Sequence, residues 1–183
     1  MDDGQFSFIT DQKLKSNIID SVQYIYILDE QSNKKEISDV YRKETHRVII
    51  LYVVSIIEAI LFFVYKQRGE ETLFTEYKFV ASLPNGYVHN SDMDCSVVVA
   101  VKKDTPKSDH QIGLFELIKF FQSHKLMKKE FAEDILKIND IRNTFHFNKP
   151  RGQIVLDVKQ VESSLDLLVK VIQRMPALIV KTI

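Results

Sequence analysis

Tryptophan is absent from this chain and cysteine occurs only once, as Cys95. A single cysteine excludes an intramolecular disulfide, and its strand-like surroundings read as core rather than as a nucleophile's site. The five glycines form neither a P-loop nor a GxGxxG turn, which leaves out the common phosphate cradles. His46, His89, His110, His124 and His146 show neither HExxH nor Cys/His ligand spacing, so no metal site and no cofactor is expected. A Ser/His/Asp hydrolase elbow is also missing. No charge of either sign prevails: 25 Lys and Arg balance 25 Asp and Glu. That excludes the strong basic field of a nonspecific nucleic-acid binder, though not a local basic groove. The start, Met1-Asp2-Asp3-Gly4, is acidic and has no signal-peptide core, so a cytoplasmic location is the expectation.

What the chain does have is apolar bulk. It is 45% hydrophobic, with 12 Phe and 7 Tyr in 183 residues, enough for one domain with a sizeable core. No repeat or low-complexity segment divides it, and residues 1–183 read as a single, mainly α domain. The periodicities predict a bundle of about five helices with a β-hairpin or small meander inserted at about residues 75–103.

Phe6, Phe8 and Ile9 are expected to tuck against the core. A helix is predicted over 11–28, with Leu14, Ile18, Val22, Ile25 and Leu28 on one face. A polar turn follows at Glu30–Lys35. The next helix is predicted from about Ser38 to Gln67, ended by Gly69. Its run from Val48 to Tyr65 is apolar enough to span a membrane. Glu58 near the middle, at about 3 kcal/mol on insertion scales, and the flanking Arg47 and Lys66 favour a buried central helix, with no membrane partner. Tyr77, Phe79, Ala81 and Leu83 alternate before the turn Pro84-Asn85-Gly86, and Cys95 to Val101 is short and β-branched, so 76–83 and 95–102 are expected to pair antiparallel. Ser108 and Gln111 have capping-box spacing and predict a helix from about His110 to His124. A break at Lys125-Leu126-Met127 leads to a helix over about Lys128–Phe147, which Pro150 and Gly152 terminate. Asp157 caps the last helix, with Val158, Val161, Leu165, Leu168, Ile172 and Met175 expected inward. Pro176 interrupts it before an apolar stretch from Ala177 to Ile183.

The chemistry concentrates in Asp140-Ile141-Arg142-Asn143-Thr144-Phe145-His146-Phe147-Asn148. Phe131, Ile135 and Ile138 mark a buried stripe. On helical geometry Arg142 points between Phe131 and Ile135, and His146 lies beside Asn139. A guanidinium on an apolar face needs an acceptor, because an unpaired buried charge is costly. Glu58 is the candidate, with Ser55 in the same sector of its helix. Beyond His146, Lys149 and Arg151 are placed for phosphate contact. Lys125, Lys128 and Lys129 read as a solvated helix start.

Arg142-Asn143 followed by His146 resembles the signature of the HEPN superfamily, small helical RNases and RNA-binding domains with an Arg, a polar residue and a His near the end of a late helix. Ser55–Leu61, an apolar helix with the lone acid Glu58, is similar to the family's early helix, and 114–147 to its motif-bearing pair. Only Asn143, Thr144 and Phe145 separate Arg142 from His146, a shorter spacing than the family's usual one. The resemblance does not cover 75–103. It implies a metal-independent endoribonuclease: His146 as base toward a ribose 2′-OH, Arg142 gripping the phosphate, and Asn143 orienting either. It also implies a homodimer that brings two motifs to one cleft, an RNA substrate, and a role as toxin or phage-defence effector with an antitoxin protein as partner. The alternative is a non-catalytic helical dimer that binds RNA, a nucleotide or a protein. In that case Arg142–Glu58 is a structural bridge and His146 a helix-end cation.

Overall fold

The computed structural model describes residues 3–69, 73–82, 98–145 and 156–179. The fold is mainly helical, with five α-helices and one two-stranded antiparallel hairpin among the described residues. The chain divides into two compact units, Met1–Glu70 with Gly113–Ile183, and Glu71–Ile112.

The helical unit is built on α2 (Asp39–Arg68), which packs against α1 (Gln12–Ser32), α3 (Leu114–Ser123), α4 (Lys129–Asn143), α5 (Val158–Arg174) and the C-terminal 3-10 turn. Its position follows from its composition. Ile49, Ile50, Val53, Ile57, Ile60, Leu61 and Val64 are all fully covered, and they occupy too wide an arc for one neighbour to bury. By length and composition α2 could also cross a membrane, with a mean hydropathy of 2.6 over its most apolar window, of which 56% is buried within the bundle. Both ends of α2 match their sequence signals. Ser38 accepts from the Tyr41 amide, and Gly69 closes the helix at φ 62°, a left-handed conformation that costs glycine little. At the N-terminus, Phe6 and Ile9 are buried as expected, while Phe8 is half-buried against the Phe63 ring.

Other boundaries move. Helix α1 runs past Leu28 to Ser32, because Glu30 and Gln31 are good helix formers; Glu30 faces solvent and half-buried Gln31 accepts from the Tyr41 hydroxyl. Ser32 and Asn33 then bond back to the Asp29 carbonyl. Leu14, at the other end, is only half-buried. The Ser108 box is present but opens a single 3-10 turn, Asp109–Gln111. Helix α3 starts later, at Leu114, capped at Gly113, whose amide donates to Glu116. The break after α3 is sharp: Lys125 takes φ 57°, and the Leu126 and Met127 amides both bond the Phe121 carbonyl. Helix α4 ends at Asn143 rather than Phe147. Thr144 caps it, with Oγ1 donating to the Ile141 carbonyl at 2.7 Å.

In α5 the buried arc is Val161, Ser164, Leu167, Leu168, Val171 and Ile172, followed by Met175. Val158 is exposed and Leu165 half-buried. The expected stripe followed the large apolar side chains and so passed over Ser164, which is fully buried with its hydroxyl bonded to the Val161 carbonyl. In the second unit, β1 (Leu73–Ser82) and β2 (Val98–Pro106) pair antiparallel, Tyr77 opposite Lys102 and Phe79 opposite Ala100, with an irregularity between Phe79 and Ala81. The strands were expected at 76–83 and 95–102. Leu83 and residues 95–97, including Cys95, lie outside the described residues.

Candidate functional site

Two helices bring the site together. Arg142 is in the last turn of α4 and Glu58 is near the middle of α2. Arg142 Nη1 lies 3.4 Å from Glu58 Oε2, and both side chains are about one-third exposed or less (27% and 32%). The acceptor that an Arg on this face requires is therefore present. Phe131, Ala132, Ile135 and Ile138 bury the preceding turns of α4, which holds the Arg142 backbone close to α2. The guanidinium itself reaches the rim rather than the interior, because α4 ends one residue later. Its five donors are not exhausted by one contact through Nη1, so the pairing orients the fork while leaving capacity for an anion.

Glu58 has a second neighbour that sequence reasoning did not reach. A Cβ placed on Gly113, the cap of α3, would lie 3.9 Å from Glu58 Oε1 and 3.4 Å from Glu116 Oε2. Two carboxylates thus flank the start of α3, where a helix N-terminus favours negative charge. The signal was available in the three-residue spacing of Gly113 and Glu116. It was masked because Ser108 and Gln111 offer the same spacing with a stronger capping residue.

The remaining candidates separate. Asn143 is half-buried at the end of α4. Ser55 is not part of the Arg142 pair: its Oγ donates to the Leu51 carbonyl, and it lines a groove of about 250 Å³ with Leu14, Ile18 and Tyr52 on the α1 side of α2. Three residues on, Glu58 stands only about 60° around the helix from Ser55, yet it meets Arg142 of α4 while Ser55 lines the α1 side. His146, Lys149 and Arg151 lie outside the described residues, as does Phe147. Phe145, the last residue described there, is half-buried with the Arg47 guanidinium 5.9 Å from its ring centroid. Arg47 is also ion-paired to Glu44. On α4, Asn139 Oδ1 is buried with no hydrogen-bond partner among the described residues.

Among the described residues, no group of three or more His, Cys, Asp or Glu side chains converges as a metal site would require. A groove of about 440 Å³ between α4 and α5 is lined by Lys137, Lys159 and Lys170 together with Asp134, Asp157 and Asp166, so its charges offset one another. No protein-family model matches this chain, and neither a curated protein nor a solved structure matches it.

Proposed function

We propose that this chain is a metal-independent endoribonuclease of the HEPN type, with Arg142, Asn143 and His146 as its reacting groups. The observation that supports this reading best is the Arg142–Glu58 pair, 3.4 Å apart and only partly shielded from solvent. A guanidinium oriented at the rim, with unused donors, is what phosphate recognition needs. In the reaction, His146 takes the proton of a ribose 2′-OH as the 2′-oxygen attacks phosphorus. The P–O5′ bond breaks, the departing 5′-oxygen takes up a proton, and a 2′,3′-cyclic phosphate remains. Arg142 stabilises the charge that builds on the non-bridging oxygens, and Lys149 and Arg151 extend the contact to flanking phosphates. The reading includes a homodimer with paired motifs, and an antitoxin protein as the controlling partner.

A second reading rests on the same pair. Arg142 already has a carboxylate, and α4 stops at Asn143, as in a bridge that joins two helices without catalysis. The chain is then a binding module for RNA, a nucleotide or a protein. Purified protein incubated with single-stranded RNA in excess EDTA separates the two. Cleavage leaving cyclic-phosphate ends supports the first reading. Intact RNA, together with no growth defect on expression, supports the second.

A further inference from the structure

The hairpin carries large side chains that its own pairing does not cover. Strands β1 and β2 form a two-stranded sheet, with no third strand among the described residues. Residues i and i+2 of a strand share a face, and so do directly opposed residues of an antiparallel pair. Tyr77 and Phe79 therefore stand on one face, about 7 Å apart along β1, with Lys102 opposite the tyrosine and Ala100 opposite the phenylalanine. Tyr77 is 72% exposed and Phe79 59%. The other face differs in kind: it carries the aliphatic Val99 and Val101, with Lys78 opposite Val101.

A single exposed aromatic is ordinary on a protein surface. Two flat rings on successive positions of one face, beside a cation and a methyl group, make a platform. Ala100 is too small to cover the Phe79 ring, and Lys102 sets a positive charge beside Tyr77. Asp104 lies 3.8 Å from the Lys102 ammonium, but both side chains are exposed, so this long contact leaves the charge within reach of another anion. The two acids of the strands, Glu76 and Asp104, lie opposite Lys103 and Thr75 in the register, on the entry side of the rings. Exposed rings flanked by lysine suit nucleobases, which stack on the rings while the ammonium meets phosphate. The core of a protein interface is depleted of charge, whereas here a lysine stands directly opposite a ring. A duplex fits poorly, because its bases are already stacked on one another.

We propose that the Tyr77–Phe79 face of the hairpin is a binding platform for single-stranded nucleic acid, with a base on each ring and Lys102 toward a flanking phosphate. Stacking of this kind tolerates any base, so the platform adds grip without selecting sequence. It uses none of Arg142, Asn143 and His146, and it stands whether or not the chain cleaves RNA.

The test uses the full chain and a fluorescently labelled thymidylate DNA of about 12 nucleotides. This probe has no 2′-OH, so the cleavage proposed above cannot act on it, and failure of the RNase reading leaves the measurement intact. Anisotropy should show the single strand bound at least about tenfold more tightly than a duplex of the same length. Tyr77→Leu with Phe79→Leu keeps two large apolar side chains but removes both rings, and should weaken binding about tenfold or more. Lys102→Gln should lower the slope of log affinity against log salt by about 0.7. Tryptophan is absent from the chain, so Phe79→Trp places a sole indole on the platform while keeping a ring there, and its fluorescence should be quenched on binding. No binding at about 100 μM protein, equal affinity for duplex and single strand, or binding that the double-leucine chain retains in full overturns the proposal. Binding without quenching of the introduced indole also overturns it. So does self-association that the double-leucine substitution abolishes, since the face is then a protein contact. Should the double-leucine chain lose the hairpin, the Phe79→Trp chain decides alone.

Discussion

Arg142 and Glu58 are 84 positions apart in the chain and 3.4 Å apart in space. The contact ties the end of α4 to the middle of α2. Its partial exposure places its energetic value between that of a surface ion pair and a buried one.

Removing either partner alone is expected to cost about 1–2 kcal/mol, above the ~0.2–1 kcal/mol of exposed pairs and below the ~3–5 kcal/mol of truly buried ones. Urea denaturation of Arg142→Met, Glu58→Gln and the double variant gives the coupling directly. A coupling indistinguishable from zero would remove the pair as an organising contact.

His146→Ala should abolish RNA cleavage with little loss of stability, whereas Arg142→Ala should lose both activity and some stability. Arg142→Lys should remain folded but cleave poorly, since a point charge cannot replace a bidentate fork. Cleavage that survives His146→Ala would point to another site or to a contaminant. Should the unaltered protein prove inactive, inserting one residue between Asn143 and His146 tests whether the short spacing is the cause.

Sedimentation at micromolar concentration should show a dimer, with Arg142 near the two-fold axis and Phe145 helping to pack it. A stable monomer would remove the two-motif cleft on which the RNase reading relies.

Two substitutions probe boundaries set by single residues. Asp157→Ala removes the side chain that accepts from the Gln160 amide and should cost about 1 kcal/mol. Gly69→Ala meets no atom within 4 Å but must hold φ 62°, so its expected cost of about 1 kcal/mol comes from the backbone alone. Equal thermal stability of these variants and the unaltered chain would contradict the cap assignments.

Ser164→Leu should destabilise by about 1–3 kcal/mol, because a fully buried serine leaves no room for three more carbons. Ser163→Ala, on the neighbouring exposed position, should stay within about 0.5 kcal/mol. A tolerated leucine at 164 would place the buried face of α5 where the large side chains had first suggested it.

Periodicity and capping residues were enough to identify α2, with Ser38 and Gly69 at its ends, and the buried stripe of α4 through Phe131, Ile135 and Ile138. They also led to Glu58 as the acceptor for Arg142, because a charge on an apolar face demands one and α2 carries a single acid in its apolar run. These inferences concern features whose cause is local: a repeat of about 3.6 residues, a cap, a charge that must be met.

Where the cause is not local, the tertiary structure decided. Ser164 is buried because neighbouring helices cover its position, whatever its polarity. Ser55 and Glu58 separate because α2 meets a different helix on each side. Gly113 comes beside Glu58 only through the packing of α3 on α2, and Ser108 lost the start of that helix to Gly113. His46 shows the same limit most fully. Nothing near it in sequence marks it as buried, and it is 4% exposed only once other helices have packed on α2.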